Sequence, residues 1–250
     1  MKLFPVFSLL VLSGCLSPLL GQTAPGAEAE PRSGDKAGAA EPIPMQLYGK
    51  IEGDPVHGEG FYVSPTGLYK VKIPVLPQLG GTVTDTLNFV TFDDDFNLHI
   101  NIGALPLSKE LKADFDAKGP KDFLADFFRN LVMPDHARAF PGAQMEPNAI
   151  FMPKYHDGAI LIFTLLPGGS AFENRVRISA TSGPAVAKRG HLCFVQSGYV
   201  FIIWTELAER VLERSTYKKS AEEENTILRQ RLMALVGNMQ FFAPPPETKG

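Results

Sequence analysis

Two apolar runs, His191-Leu192-Cys193-Phe194-Val195 and Tyr199 to Thr205, flank the dipeptide Ser197-Gly198. No other feature constrains the fold as tightly. A turn dipeptide ending in glycine, set between two strand-forming runs, specifies an antiparallel hairpin. Asn148 to Met152 and Ala159 to Leu166 flank Asp157-Gly158 in the same way. Upstream, Asp93-Asp94-Asp95 turns the chain into Phe96, Leu98, Ile100 and Ile102, which alternate with Asn97, His99 and Asn101. That alternation gives a strand with one core face and one polar face. Thr82 to Phe92 reads as a single β-rich strand before the turn. Nearer the start, Phe61-Tyr62-Val63 leads into Ser64-Pro65-Thr66-Gly67, with Pro second and Gly fourth as in a type I turn. Tyr69, Val71 and Ile73 then alternate with Lys70 and Lys72 up to Pro74.

Helical signals interrupt the hairpins. Ser108 can cap a short helix that carries Leu111 and Phe115 four apart and stops at Gly119. Pro120 suits the first position of a second helix, with Phe123, Leu124, Phe127, Phe128 and Leu131 as its apolar stripe and Pro134 as its end. Those phenylalanines are core, not a ligand box. Leu207 to Leu212 supplies a helical turn or two. Ser220-Ala221-Glu222-Glu223 is a capping box opening a helix through Leu228, Leu232 and Leu235, with Gly237 as its stop. Hairpins broken by helical blocks indicate the α+β class: a mostly antiparallel sheet with helices packed on it. Glycine-rich phosphate loops and doubly wound strand–helix–strand alternation are absent from the sequence.

The ends of the chain read differently. Met1-Lys2 is a short positive start, Leu3 to Leu12 is almost wholly apolar, and Leu12-Ser13-Gly14-Cys15 follows. This is the form of an export signal. The tetrapeptide resembles the lipobox of bacterial lipoproteins, which implies acylation of Cys15 and a signal peptide of residues 1–14. Cleavage near Gly21 to Ala24 and an uncleaved helix through Leu20 are the competing readings. Acyl chains supply about 0.8 kcal/mol per buried methylene, so several on one residue hold firmly. Leu16 instead of Asp after the cysteine favours the outer membrane in Gram-negative members of that family. Residues 15–47 are rich in Ala, Gly, Pro and Glu, a composition that suits a lipidated, disordered tether. Residues 48–242 then form one α+β domain, and 243–250 are a disordered tail.

The formal charge is −3, becoming −4 without Lys2, which argues against a nucleic-acid partner. With Cys15 acylated, Cys193 has no disulfide partner, because the chain holds only two cysteines. Its apolar surroundings suit a buried, inert thiol.

The stretch Tyr62-Val63-Ser64-Pro65-Thr66-Gly67-Leu68-Tyr69-Lys70-Val71-Lys72-Ile73-Pro74 has the form aromatic-x-Ser-x-x-Gly-x-Tyr-x-apolar-x-x-Pro. It resembles the opening hairpin of the PsbP/DcrB-like fold. The likeness runs from about Gly60 to Phe242 and ends on an apolar strand at Met239-Gln240-Phe241-Phe242. The helical block around Lys109 to Val132 is longer than that pattern requires. The resemblance implies an α/β sandwich, frequent lipoprotein membership, and accessory or protein-binding roles without an active site. No site residues carry over from it.

Chemistry is sparse. As a calcium loop, Asp93-Asp94-Asp95 would need Gly where Leu98 stands and Glu where Ala104 stands, so it reads as a polar hairpin tip. The five histidines, His57, His99, His136, His156 and His191, share no metal-ligand spacing, and we expect neither metal nor cofactor. Gly168-Gly169-Ser170-Ala171-Phe172 lacks the second glycine of a nucleophile elbow and reads as a tight turn. The ligand-binding candidates are His99, Asp93 and Asp95. The chain is therefore expected to be a non-enzymatic envelope lipoprotein, held to the membrane through Cys15, that engages an envelope protein as an interaction or assembly module. The alternative is a periplasmic lipoprotein binding a small ligand or ion, and an unrecognised envelope hydrolase comes third.

Overall fold

The computed structural model describes residues 47–175 and 184–243. The expected signal peptide, Cys15, nearly all of the tether and residues 244–250 of the tail lie outside them. The first strands are β1 (Lys50–Glu52), β2 (Phe61–Val63) and β3 (Tyr69–Lys72). Next come β4 (Thr82–Asp85), β5 (Phe89–Asp93) and β6 (His99–Pro106). Beyond a helical block lie β7 (Gln144–Met145), β8 (Ile150–Met152) and β9 (Ala159–Pro167). Then follow β10 (Val186–Gln196), β11 (Tyr199–Glu206) and, near the end, β12 (Met239–Phe241). They form a four-stranded sheet, β1-β2-β3-β12, and an eight-stranded sheet, β4-β5-β6-β11-β10-β9-β7, with β8 also on β9. Every pairing between them is antiparallel. The α+β class follows directly.

The Ser197-Gly198 turn closes β10 on β11 with Gln196 opposite Tyr199. Both turn residues have positive φ, at 53° and 78°, the conformation whose twist matches the flanking strands. Thr82 to Phe92 is two strands, not one. The Thr86 hydroxyl accepts from the Asn88 and Phe89 amides and folds β4 back on β5 without glycine or proline. Asp94 caps the next turn, its carboxylate taking the amides of Phe96, Asn97 and Leu98 at 2.9 Å. Consequently β6 begins only at His99, and Phe96, expected on the core face, is exposed.

Helix α1 (Lys109–Phe127) is capped by Ser108, bends at Gly119 (φ 75°) and restarts at Pro120. Pro134 does not end the block. A π-helical turn, Phe128–Val132, sends the Met133 amide to the Phe128 carbonyl, and α2 (Met133–Ala139) continues with Pro134 in its first turn. That change of register leaves Leu131 exposed while Phe123, Leu124, Phe127 and Phe128 are buried. After β11 come α3 (Glu209–Leu212) and α4 (Ala221–Gly237), the latter opened by the expected capping box.

Strand alternation divides the core in two. Ala159, Leu161, Phe163, Leu192, Phe194, Phe201 and Ile203 pack under α4 and the small sheet, against Leu228, Leu232, Tyr69 and Val71. Ile160, Ile162, Cys193, Val200 and Ile202 face the phenylalanines of α1 and the π-turn. Gly190 lets α4 lie close on β10, since a Cβ there would sit 3.0 Å from Leu228.

Candidate functional site

Both faces of the large sheet carry buried charge, because β10 extends upstream of its apolar run. Lys188 points toward α4. It is fully buried, with Nζ 2.8 Å from Glu146 and 3.1 Å from Glu224, and Glu224 also takes Arg210 at 2.6 Å. Arg189 points the other way. Its Nε is 3.2 Å from Glu206, its guanidinium donates to the Gly169 carbonyl at 2.6 Å, and it lies 4.2 Å over the Trp204 ring. Glu206 also accepts from Ser170 Oγ at 2.5 Å and the Ala171 amide at 3.3 Å, which fixes the 168–172 turn to the sheet. Burial pulls the Arg189 guanidinium below its ordinary value, with Glu206 opposing.

Next along this face, His191 Nε2 meets Thr164 Oγ1 at 2.9 Å, and its ring lies 4.9 Å from Phe128 and 5.4 Å from His136. Trp204 in turn has the His99 ring 4.8 Å away. His99 Nδ1 is hydrogen-bonded to Asp93 Oδ1 across the β5–β6 pair. The structure therefore brings together two of the three expected candidates, Asp93 and His99. Asp95 is elsewhere, its carboxylate lying against Gly80 where a Cβ would collide with it. Asn97, expected beside His99, sits in the turn, so the polar face at this point is Asp93, His99, Asn101 and Thr91, with Asn101 donating to Thr91 at 2.9 Å.

This seam is bonded to itself. Ser170 donates to a carboxylate already paired with an arginine, so no imidazole activates it. Cys193 is fully buried and its thiol is pushed above the ordinary value by burial, the inert setting its apolar neighbours suggested. Among the described residues no group of three or more His, Cys, Asp or Glu is placed to hold a metal ion, and no helix is long and apolar enough to cross a membrane. His156, in the Asp157-Gly158 turn, stacks on Phe194 at 4.2 Å and bonds Gln196 at 2.7 Å, a packing role.

The opposite face carries an open feature. A groove of about 540 Å³ runs between the end of β3, the β5–β6 turn and the end of α4. Its apolar lining is Ile73, Pro74, Leu76, Leu98, Ile100 and Leu235, and its polar lining includes Lys72, Asn97 and Arg231. Arg231 is held by Glu209, whereas no carboxylate among the described residues pairs with Lys72. Val56, Leu79 and Phe96, in the loops that border the groove, are exposed. Sequence reasoning missed this groove because its walls come from five segments far apart in the chain.

No protein-family model matches the chain, and no curated protein sequence matches it. Solved structures do match. One is the solution structure of cyanobacterial PsbP (CyanoP) from Synechocystis, with a TM-score of 0.40 and 11% identity, covering 82% of this chain and 99% of that one. Another is the Ran-binding protein Mog1p of Saccharomyces cerevisiae, with a TM-score of 0.38 and 10% identity, covering 71% of this chain and 92% of that one. The architecture itself, two antiparallel sheets with helices laid on them, is read from the strand pairing of this chain.

Proposed function

We propose that this chain is an envelope lipoprotein, anchored through acylated Cys15, whose folded unit binds a partner protein without catalysis. One observation carries the reading. The buried ionisable side chains Lys188, Glu224, Arg189 and Glu206 are consumed in pairing with one another, while the groove is open and apolar. Buried pairs of this kind join layers and are not free to move protons on a substrate. An apolar cleft bordered by exposed apolar residues is a surface for another chain.

The occupant is an amphipathic segment of an envelope protein, with apolar side chains for the cleft and a carboxylate for Lys72. The groove lining supplies cations and no carboxylate, which sets the sign of the partner. Two fluorescent peptides with one apolar pattern, flanked by Glu or by Lys, test this on the full chain. The Glu peptide binds, Lys72→Glu reverses the preference, and Leu98→Asp abolishes binding. Indifference of both peptides to Leu98→Asp, or no binding at all, rejects the groove. For the anchor, mass spectrometry finds acyl chains on Cys15, and Cys15→Ala releases the protein from membranes. Unchanged fractionation rejects it.

A second reading rests on the Asp93–His99 pair, which lies partly buried on the polar face, with Asp93 the more accessible of the two, and would orient a small ligand. A ligand or metal screen raising the melting temperature, with the rise lost in His99→Gln, supports it. A screen without any shift removes it.

A further inference from the structure

We propose that His136 and His191 form an acid-sensitive latch, whose protonation releases the α2 end of the helical layer from the large sheet. The geometry is specific. His136 is the one buried residue of α2, with Met133 partly buried against the core at its start, so the helix docks mainly through an imidazole. Its ring lies 5.4 Å from that of His191 on β10. Both nitrogens of His136 and Nδ1 of His191 are buried without a hydrogen-bond partner, and only His191 Nε2 is bonded, to Thr164. The pair is therefore accommodated as two neutral rings, His136 against His191 and His191 against Phe128 and Trp204.

A proton on either ring meets no counter-charge. From β10, Arg189 faces the pair with a positive charge. From β11, Glu206 is spent on Arg189 and Ser170, and from β9 the facing group is the neutral Thr164. Asp93, farther along the seam, is bonded to His99. On α2 itself, Asp135 is held by Arg138 at 2.9 Å. On the preceding helical block, Asp126 is taken by Lys118 and Arg129. Glu146, next to β7, serves Lys188 on the opposite face of the sheet. Burial, aided by Arg189, pushes His136 down to about 4, and His191 is driven well below its usual range by burial first, then by the nearness of His136 and Arg189.

The sign follows from linkage. The opened state takes up protons from about pH 6.5 downward, while the docked state refuses them until pH 4. Between those values the population of the opened state rises by roughly a hundredfold on account of His136. The latch is independent of the groove, which lies on the other face.

Hydrogen exchange on the full chain, corrected for the intrinsic pH dependence of amide exchange, tests the proposal. Amides of α2 and the π-turn should lose protection by about that factor on going from pH 6.5 to 4, ahead of those in α4. His136→Leu, which fills the same space without a titrating group, should remove most of the acid response. Proton NMR titration of the wild-type histidines needs no variant and covers the case of a poorly folding one. The two buried imidazoles should titrate at acid pH together with α2 opening. Titration of both near 6.5 with α2 still protected, or an unchanged acid response in His136→Leu, overturns the latch.

Discussion

Lys188 Nζ lies 3.1 Å from Glu224 Oε2, and neither side chain reaches solvent. The pair bonds β10 to α4 two residues from Gly190, where a Cβ would crowd the helix. Removing one member leaves the other charge buried, a loss of about 3–5 kcal/mol when no other partner remains. Here each has a second partner, Glu146 for Lys188 and Arg210 for Glu224, which softens the single losses. Glu224→Gln should therefore cost about 2–3 kcal/mol, and the same change in a Lys188→Met background about 1 kcal/mol less. Urea denaturation of the four species completes the cycle. Strict additivity would mean that the two charges do not interact.

Asp85 joins the two sheets. Its carboxylate accepts the Tyr62 hydroxyl and the Gly49 amide at 2.7 Å and the Tyr48 amide at 2.9 Å, which binds the edge strand β4 to the small sheet. Tyr62 is fully buried, and burial with Asp85 beside it holds its phenol protonated. Tyr62→Phe should cost about 1 kcal/mol, the net worth of one such bond. Asp85→Ala removes the acceptor of all three donors and should cost about 2–3 kcal/mol. Thermal unfolding should rank the two in that order, and equal losses would place the strength of the joint in the Tyr62 contact alone.

How much of this was legible in advance depends on where the physics is local. The capping box at Ser220, the Ser108 cap and the Ser197-Gly198 turn are fixed by neighbours in sequence, and each formed where it was expected. The Thr86 turn was not read, because a hydroxyl taking two amides replaces the glycine that usually marks such a site. Pro134 was misread because a π-turn five residues long absorbs the missing amide that would otherwise stop the helix. The candidate site was half legible. Asp93 and His99 fall opposite each other once the hairpin register is set, and alternation alone assigns them to one face. Lys188 and Arg189 lie just ahead of the apolar run that begins at His191, where alternation gives no sign of burial. Only the ladder with β9, which pairs residues 186–190 with 163–167, shows them to be interior. Buried pairs between distant segments leave no periodic trace in a single sequence.

Gly190 offers a packing test that involves no charge. A Cβ at this position would lie 3.0 Å from Leu228 and 3.1 Å from Leu232 on α4. Gly190→Ala should therefore destabilise by about 1–3 kcal/mol through overpacking. Pairing it with Leu232→Ala, which opens space beside the new methyl, should recover part of that loss relative to the sum of the two single changes. At Gly198, where nothing crowds the site but φ is +78°, alanine should cost about 1 kcal/mol from backbone strain alone.

Cys193 lies fully buried among Ile160, Ile162, Val200 and Ile202, and its thiol is held protonated by that apolar surround. A thiolate is the reactive form, so alkylation must wait for the core between sheet and helical layer to open. In a Cys15→Ala chain Cys193 is the sole thiol, and its labelling by iodoacetamide reports that opening directly. At neutral pH labelling should be slow and should rise with urea in step with loss of the folded state. As pH falls from 6.5 to 4, opening driven by His136 and His191 exposes the thiol more often, while the thiolate fraction of the exposed thiol falls about tenfold per unit. The two effects oppose, so alkylation alone cannot display the acid response. A disulfide reagent such as 4,4′-dithiodipyridine, which stays reactive toward thiols in acid, separates them: its labelling rate should climb as pH drops, and His136→Leu should flatten the climb. Rapid labelling of Cys193 at neutral pH in the folded protein would contradict the burial that makes this cysteine structural.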